Sequence, residues 1–202
     1  MPSTRSKRST SPNQVRIIGG NWRRRLLHFP SAANLRPTPD RVRETLFNWL
    51  GHDLTGLAVL DLFAGSGALS FEALSHGARL AVALDDNPLA VSSMRENAGV
   101  LGAAALEPRR ADAVRFLQTD MRTFDLIFVD PPFSEDWLER LWPLLPVRLN
   151  AGGRIYIEQG RPVEPPDGWE VFRQQRAGQV HYHLLRRANG EPASSATEES
   201  PA

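Results

Sequence analysis

Residues 57–88 read LAVLDLFAGSGALSFEALSHGARLAVALDDNP. Two apolar runs, 57–63 and 79–85, flank a glycine loop and an Ala- and Leu-rich segment. Each run is short and apolar at nearly every position, not at every second one. That is how strands buried on both faces read. The stretch therefore predicts a strand, a helix over 67–76 and a second strand parallel to the first. Asn87-Pro88 then opens another helix, reaching about Leu101, because Asn suits the N-cap and Pro the first helical position.

The same alternation continues outward. A weak strand near 105–109 leads to a short helix from Asp112. "FDLIFVD" (124–130) reads as a strand, 135–145 as a helix and "GRIYIEQ" (153–159) as a strand. "WEVFRQQRAGQVHYHLLR" (169–186) closes as two strands around Ala177-Gly178. Upstream, "TPDRVRETLFNWLG" (38–51) predicts a helix with Thr38 as N-cap and Pro39 at its first position. Val42, Leu46, Trp49 and Leu50 follow the helical period, and Gly51 suits the stop. "VRIIGGNWRRRLLHF" (15–29) reads as two short strands around Gly19-Gly20-Asn21, a hairpin by its turn chemistry. The expected fold is α/β: a mainly parallel sheet with helices on both faces and an antiparallel C-terminal strand. A disordered basic tail (1–14) and an N-terminal hairpin-and-helix extension (15–51) precede the main domain (52–187), and a disordered tail (188–202) follows it.

Composition narrows the function. The chain of 202 residues is long enough for one domain with a real core. No window reaches the roughly 18 apolar residues a membrane span needs, and no apolar run follows the basic N-terminus as in a secretory signal. There is no cysteine, which excludes disulfides, Cys-ligated zinc, iron–sulfur clusters and a cysteine nucleophile. The formal net charge of +1 conceals an asymmetry: +9 over residues 1–43 and −8 over the remainder. A positive arm on an acidic body suggests a polyanionic partner. For 1–14 alone a solubilising tail is the better reading, whereas 15–29 points to nucleic-acid contact.

In open α/β sheets ligands bind beyond the carboxyl ends of the strands. There the sequence places Asp61, Asp85-Asp86, Asp112 and Asp130. One of these could simply cap its helix; four in succession suggest a ligand. The loop after the first strand holds Gly65 and Gly67. A dinucleotide fingerprint would need a third glycine where Ser70 stands, and an acid in the loop repels phosphate. The acids suit a cation with free hydroxyls, and S-adenosylmethionine fits: Asp61 for the ammonium, Asp85 for the ribose hydroxyls, Asp112 for the adenine amine. His181 and His183 share one strand face, but two ligands do not make a metal site. No metal is expected. Trp137, Leu138 and Leu141 are read as core.

"VLDLFAGSGALSFEALSHGA", "DDNP", "RADAVRFL" and "FVDPPF" resemble, in order and spacing, the motifs of the class I S-adenosylmethionine-dependent methyltransferases. The resemblance implies a Rossmann-like fold with a seven-stranded sheet. It implies a cofactor edge of Asp61, Phe63, Ala64, Gly65, Ser66, Gly67, Asp85, Asp86, Asp112 and Ala113. Many members have Gly where this chain has Phe63, and the Phe form is common among those that methylate exocyclic amines. Asp130-Pro131-Pro132-Phe133 suits that chemistry. The amine lone pair is delocalised into the ring, so acceptors must grip both N–H bonds and aim the nitrogen at the methyl. Asp130 supplies one acceptor and the Pro131 carbonyl the other; Pro132 restrains Pro131; Phe133 offers a face for the flipped base.

"RIIGGNWRRRLLHF" followed by "LRPTPDRVRETLFNWL" resembles the RsmD family of bacterial enzymes, which methylate N2 of a guanine in 16S ribosomal RNA. The resemblance spans about residues 15–187. It implies that Arg36, Thr38 and Arg41 lie near the cofactor and incoming base, and that Arg16, Arg23, Arg24 and Arg25 grip the RNA backbone. It further implies a cytoplasmic monomer acting on 16S RNA in an assembling small subunit. Two departures are mild: Arg24 stands near a usual glycine, and Asp85 where Glu is frequent, so that Asp86 could serve instead. Two alternatives stay open: an N6-adenine methyltransferase acting on DNA or RNA, and a non-catalytic RNA-binding assembly factor.

Overall fold

The structure, a computed structural model, describes residues 13–29, 38–132 and 137–188. Two short strands, β1 (Asn13–Arg16) and β2 (Leu26–Phe29), pair antiparallel ahead of helix α1 (Asp40–Leu50). Then follow β3 (Ala58–Asp61), α2 (Ala68–Ser75), β4 (Leu80–Asp85), α3 (Pro88–Leu101) and β5 (Leu106–Arg110). The chain continues through α4 (Ala113–Thr119), β6 (Phe124–Val129), α5 (Trp137–Leu141), β7 (Leu149–Gln159), β8 (Trp169–Ala177) and β9 (Val180–Arg187).

The main sheet has seven strands in the order β5-β4-β3-β6-β7-β9-β8. All pairs from β5 to β7 are parallel, and β9 runs antiparallel to both its neighbours. Successive strands step outward from β3 in both directions, so the order reverses between β3 and β6. A ligand crevice opens at that reversal. This is the mainly parallel sheet the alternating pattern predicts, in the Rossmann-like, seven-stranded form the resemblance implies. Two apolar clusters cover its faces. One joins the hairpin (Val15, Ile17, Leu27, Phe29), α1 (Val42, Leu46, Phe47), α2 and α3 to the sheet. The other packs Phe116, Leu117, Leu141 and Trp169 against the opposite face, with Trp137 and Leu138 at its margin. Among the described residues no helix is long and apolar enough to cross a membrane.

Three local expectations need correction. The hairpin does not turn tightly at Gly19-Gly20-Asn21. Its strands stop at Arg16 and resume at Leu26, and a single 3-10 turn, Gly20–Trp22, lies between. Gly20 has φ 67°, and a Cβ there would sit 1.9 Å from the Ser75 carbonyl oxygen. That glycine serves close docking on the end of α2. Secondly, β1 begins at Asn13, inside the stretch read as tail. Thirdly, Pro39 occupies the N-cap of α1 and no side chain caps it. The Thr38 hydroxyl is engaged elsewhere.

Candidate active site

Asp61 ends β3 and is 1 % exposed. Its Oδ2 accepts from the Ser70 hydroxyl at 2.8 Å, and the Phe63 backbone N–H also bonds to it. Its Oδ1 is buried with no protein partner. Burial pushes this carboxyl up to about 7, and the nearby Asp130 and Asp85 carboxyls push the same way. A buried carboxylate with an orphan oxygen is costly unless something cationic reaches it. The residue types and the orphan oxygen fit the ammonium of S-adenosylmethionine.

The glycine loop is tied to β4. Ala64 N–H donates to the Leu84 carbonyl at 2.7 Å, and Gly65 N–H to Asp85 Oδ2 at 2.8 Å. Asp85 Oδ1 accepts from Asn87 N–H. Burial raises the Asp85 carboxyl above its ordinary range. Gly67 has φ 78°, and an added Cβ would meet Met94 and Phe71 at 3.0 Å, so the loop's exit needs glycine. Ser66 and Ala64 are buried, and Phe63 meets Trp137 edge-on at 4.9 Å. Asp85 faces this loop whereas Asp86 is exposed. Asp112 is exposed and caps α4, its Oδ1 accepting from Arg115 N–H at 2.8 Å. Of the strand-end acids, Asp112 is one whose side chain caps the helix that follows it. Ala113 is buried as the first residue of α4.

Asp130 follows β6 directly. Its Oδ2 accepts from the Thr38 hydroxyl at 3.3 Å. Burial and the neighbouring Glu158 hold its carboxyl well above the usual range. Pro131 is buried and Pro132 exposed. Arg36 and Phe133 lie outside the described residues.

Arg43 on α1 connects the extension to this site. The guanidinium is fully buried, and it donates to the Thr38 carbonyl at 2.5 Å and to the Arg16 carbonyl at 2.6 Å. It pairs with Asp40 at 2.9 Å and lies 3.5 Å from Glu72 of α2. Glu72 accepts in turn from Ile18 and Gly19 N–H. A cavity of about 290 Å³ lies between hairpin and helix, with Arg16, Leu26, Thr38, Asp40 and Arg43 among its lining. The side chains of Arg16, Arg23, Arg24, Arg25 and Arg41 are exposed. Arg24 holds φ 71°, the conformation in which glycine is at ease.

Sequence reasoning missed four participants. Ser70 was noted only as the absence of a glycine. Arg43 and Glu72 carry no signal in the sequence that sets them apart from other helix charges, yet both are buried. Glu158, in β7, is 3 % exposed, and its Oε1 accepts from the Tyr156 hydroxyl at 2.8 Å. Among the described residues no three His, Asp or Glu side chains are grouped to hold a metal ion.

Sheet order, glycine loop and strand-end acids together define a class I S-adenosylmethionine-dependent methyltransferase. A family model described as conserved hypothetical protein 95 matches residues 15–186. Ribosomal RNA small subunit methyltransferase D of Escherichia coli K12 is 41 % identical over 185 residues, covering 88 % of this chain and 93 % of that one. The Haemophilus influenzae protein of the same name is 35 % identical over 191 residues, covering 89 % and 99 %. The solved structure of the yhhF protein from Escherichia coli superposes with TM-score 0.78 at 40 % identity, over 87 % of this chain and 98 % of that chain. The chain belongs to the RsmD family of ribosomal RNA methyltransferases.

Proposed function

We propose that the protein methylates the exocyclic N2 amine of a guanine in 16S ribosomal RNA of the small subunit. The observation that carries this reading is Asp130, a half-buried acid at the strand end beside the glycine loop, within electrostatic reach of Asp61. Support for the RNA comes from relatives named as small-subunit ribosomal RNA methyltransferases and from the exposed arginines of the hairpin. Support for guanine N2 comes from the likeness of residues 15–50 to the RsmD family.

S-adenosylmethionine, when bound, supplies an electrophilic methyl group. Asp61 is suited to its ammonium. Asp85 retains free lone pairs for the ribose hydroxyls although both its oxygens brace backbone N–H groups. Asp130 and the Pro131 carbonyl accept from the two N–H bonds of the amine and orient its lone pair. As the nitrogen gains a methyl it sheds a proton, and the raised basicity of Asp130 makes it a competent acceptor. Holding the reactants in line supplies most of the acceleration.

Nucleoside mass spectrometry of 16S RNA from a strain lacking the gene tests the reading. N2-methylguanosine is expected to fall, to return with the wild-type gene, and not to return with Asp130→Ala. The purified Asp130→Ala protein should lose about 10²-fold or more in turnover while keeping its RNA affinity. Unchanged N2-methylguanosine in the deletion strain overturns the substrate. Full turnover by Asp130→Ala overturns the site.

A further inference from the structure

Residues 44–202 carry a net charge of −8, yet the last two strands break that trend. Residues 169–187 hold four arginines and one acid, Glu170. The register of β8 on β9 slips between Val171 and Arg173, and Phe172 stands at that bulge. Three guanidiniums gather on its ring: Arg173 at 4.3 Å, Arg186 at 4.4 Å and Arg154 of β7 at 5.3 Å from the centroid. Glu170 pairs with Arg186 at 2.6 Å. Arg173 and Arg176 are exposed, and among the described residues neither pairs with a carboxylate. Arg173 donates to the Phe172 carbonyl and Arg176 to the Gly178 carbonyl, which leaves most of each five-donor fork open. The ring holds its guanidiniums in place without cancelling their charge, and like charges kept together favour an anion.

Placement gives this patch a use. β8 is the outer strand at one end of the sheet, and β5 is the outer strand at the other. The hairpin docks on α2 and α3, which follow β3 and β4. The crevice at the β3–β6 reversal therefore lies between the hairpin and β8. Phe172 packs against the same apolar cluster as the hairpin, so both basic surfaces stand on one face of the sheet. Arg176 pairs across β8 and β9 with His181, which pairs with Gln159 at the end of β7. That sets Arg176 level with the strand-end acids, three strands out from Asp130, or roughly 14 Å at about 4.8 Å per strand.

We propose that Arg173 and Arg176 of β8 form a second contact for the phosphate backbone of the RNA, across the acceptor crevice from the hairpin. This rests on the reading of 16S RNA as the substrate. Phosphate is the anion that a guanidinium fork takes bidentately, and the patch continues on the same face the basic surface begun by the hairpin. With a grip on each side, the strand that carries the target base is stretched over the crevice and not tethered at one end.

The experiment compares the full-length double variant Arg173→Ala/Arg176→Ala with the wild type, on small subunits from the gene-deletion strain and on naked 16S RNA. Both side chains are exposed, so the melting temperature and uptake of S-adenosylmethionine should not change. KM for the subunit should rise about tenfold with kcat unchanged, and the slope of log K against log salt on naked RNA should flatten by about 1.4. Arg173→Lys/Arg176→Lys keeps the charge and should restore most of that slope. An unchanged KM overturns the proposal. So does an unchanged slope on naked RNA, since the arginines would then meet an acidic protein of the subunit. If the wild type itself fails to methylate small subunits, the substrate reading fails first, and this inference with it.

Discussion

Ser70 stands where a dinucleotide site would have glycine, and its hydroxyl donates to Asp61. That small substitution accounts for one carboxylate oxygen and leaves Oδ1 open. The fold thus holds an acid whose ionisation opposes stability. Its carboxyl rises from 3.8 to about 7 on folding. The contribution to stability is full below pH 3.8 and is lost as pH rises through about 7. Asp85, Glu72, Asp130 and Glu158 are shifted in the same direction. The melting temperature of the ligand-free protein is therefore expected to drop between pH 5 and 8, by calorimetry. Asp61→Asn should shrink that drop and be the more stable protein at pH 8, on the order of a few kcal/mol. The acids at strand ends were legible from sequence because a carboxylate after an apolar run stands out. Glu158 was not, since it sits within a strand and only the β6–β7 register sets it beside Asp130.

At the level of elements, helices and strands followed from period and caps, but docking did not. "GGN" suggested a tight hairpin turn; the glycines let the connection lie flat on α2. There Ser75 Oγ accepts from Trp22 N–H and donates to the Gly19 carbonyl at 2.6 Å. Both uses call for glycine, so composition alone could not separate them. Likewise Thr38 precedes a helix and resembles a cap, while its hydroxyl reaches an acid 92 residues away in the chain. Gly20→Ala should cost about 2–4 kcal/mol, because a Cβ at 1.9 Å from backbone oxygen forces the loop off α2. Chemical denaturation measures it. Binding of S-adenosylmethionine under folding conditions should survive, since the loop lies outside the strand-end acids.

Across the whole molecule, the split of charge between residues 1–43 and the remainder was visible at once, and the exposed arginines of the hairpin carry the described part of it. If these arginines meet phosphates, affinity must depend steeply on salt. The slope of log K against log salt should flatten by about 0.7 for each of Arg23→Ala and Arg25→Ala on single-stranded RNA. Fluorescence anisotropy at graded salt measures it, and unchanged slopes would place the footprint elsewhere. The union of extension and sheet through one buried core was harder to foresee, because Arg43 and Glu72 look like solvent-facing helix residues.

Arg43 sets a limit on modularity. A fragment beginning after α1 would strand Glu72 in the interior without its cation or the two backbone N–H groups it receives, and would strip the cover from Phe71 and Phe128. The N-terminal hairpin and helix form a keystone, not a detachable head. Retargeting this enzyme by grafting a foreign recognition module is expected to fail, and redesign is confined to the outward side chains of the hairpin.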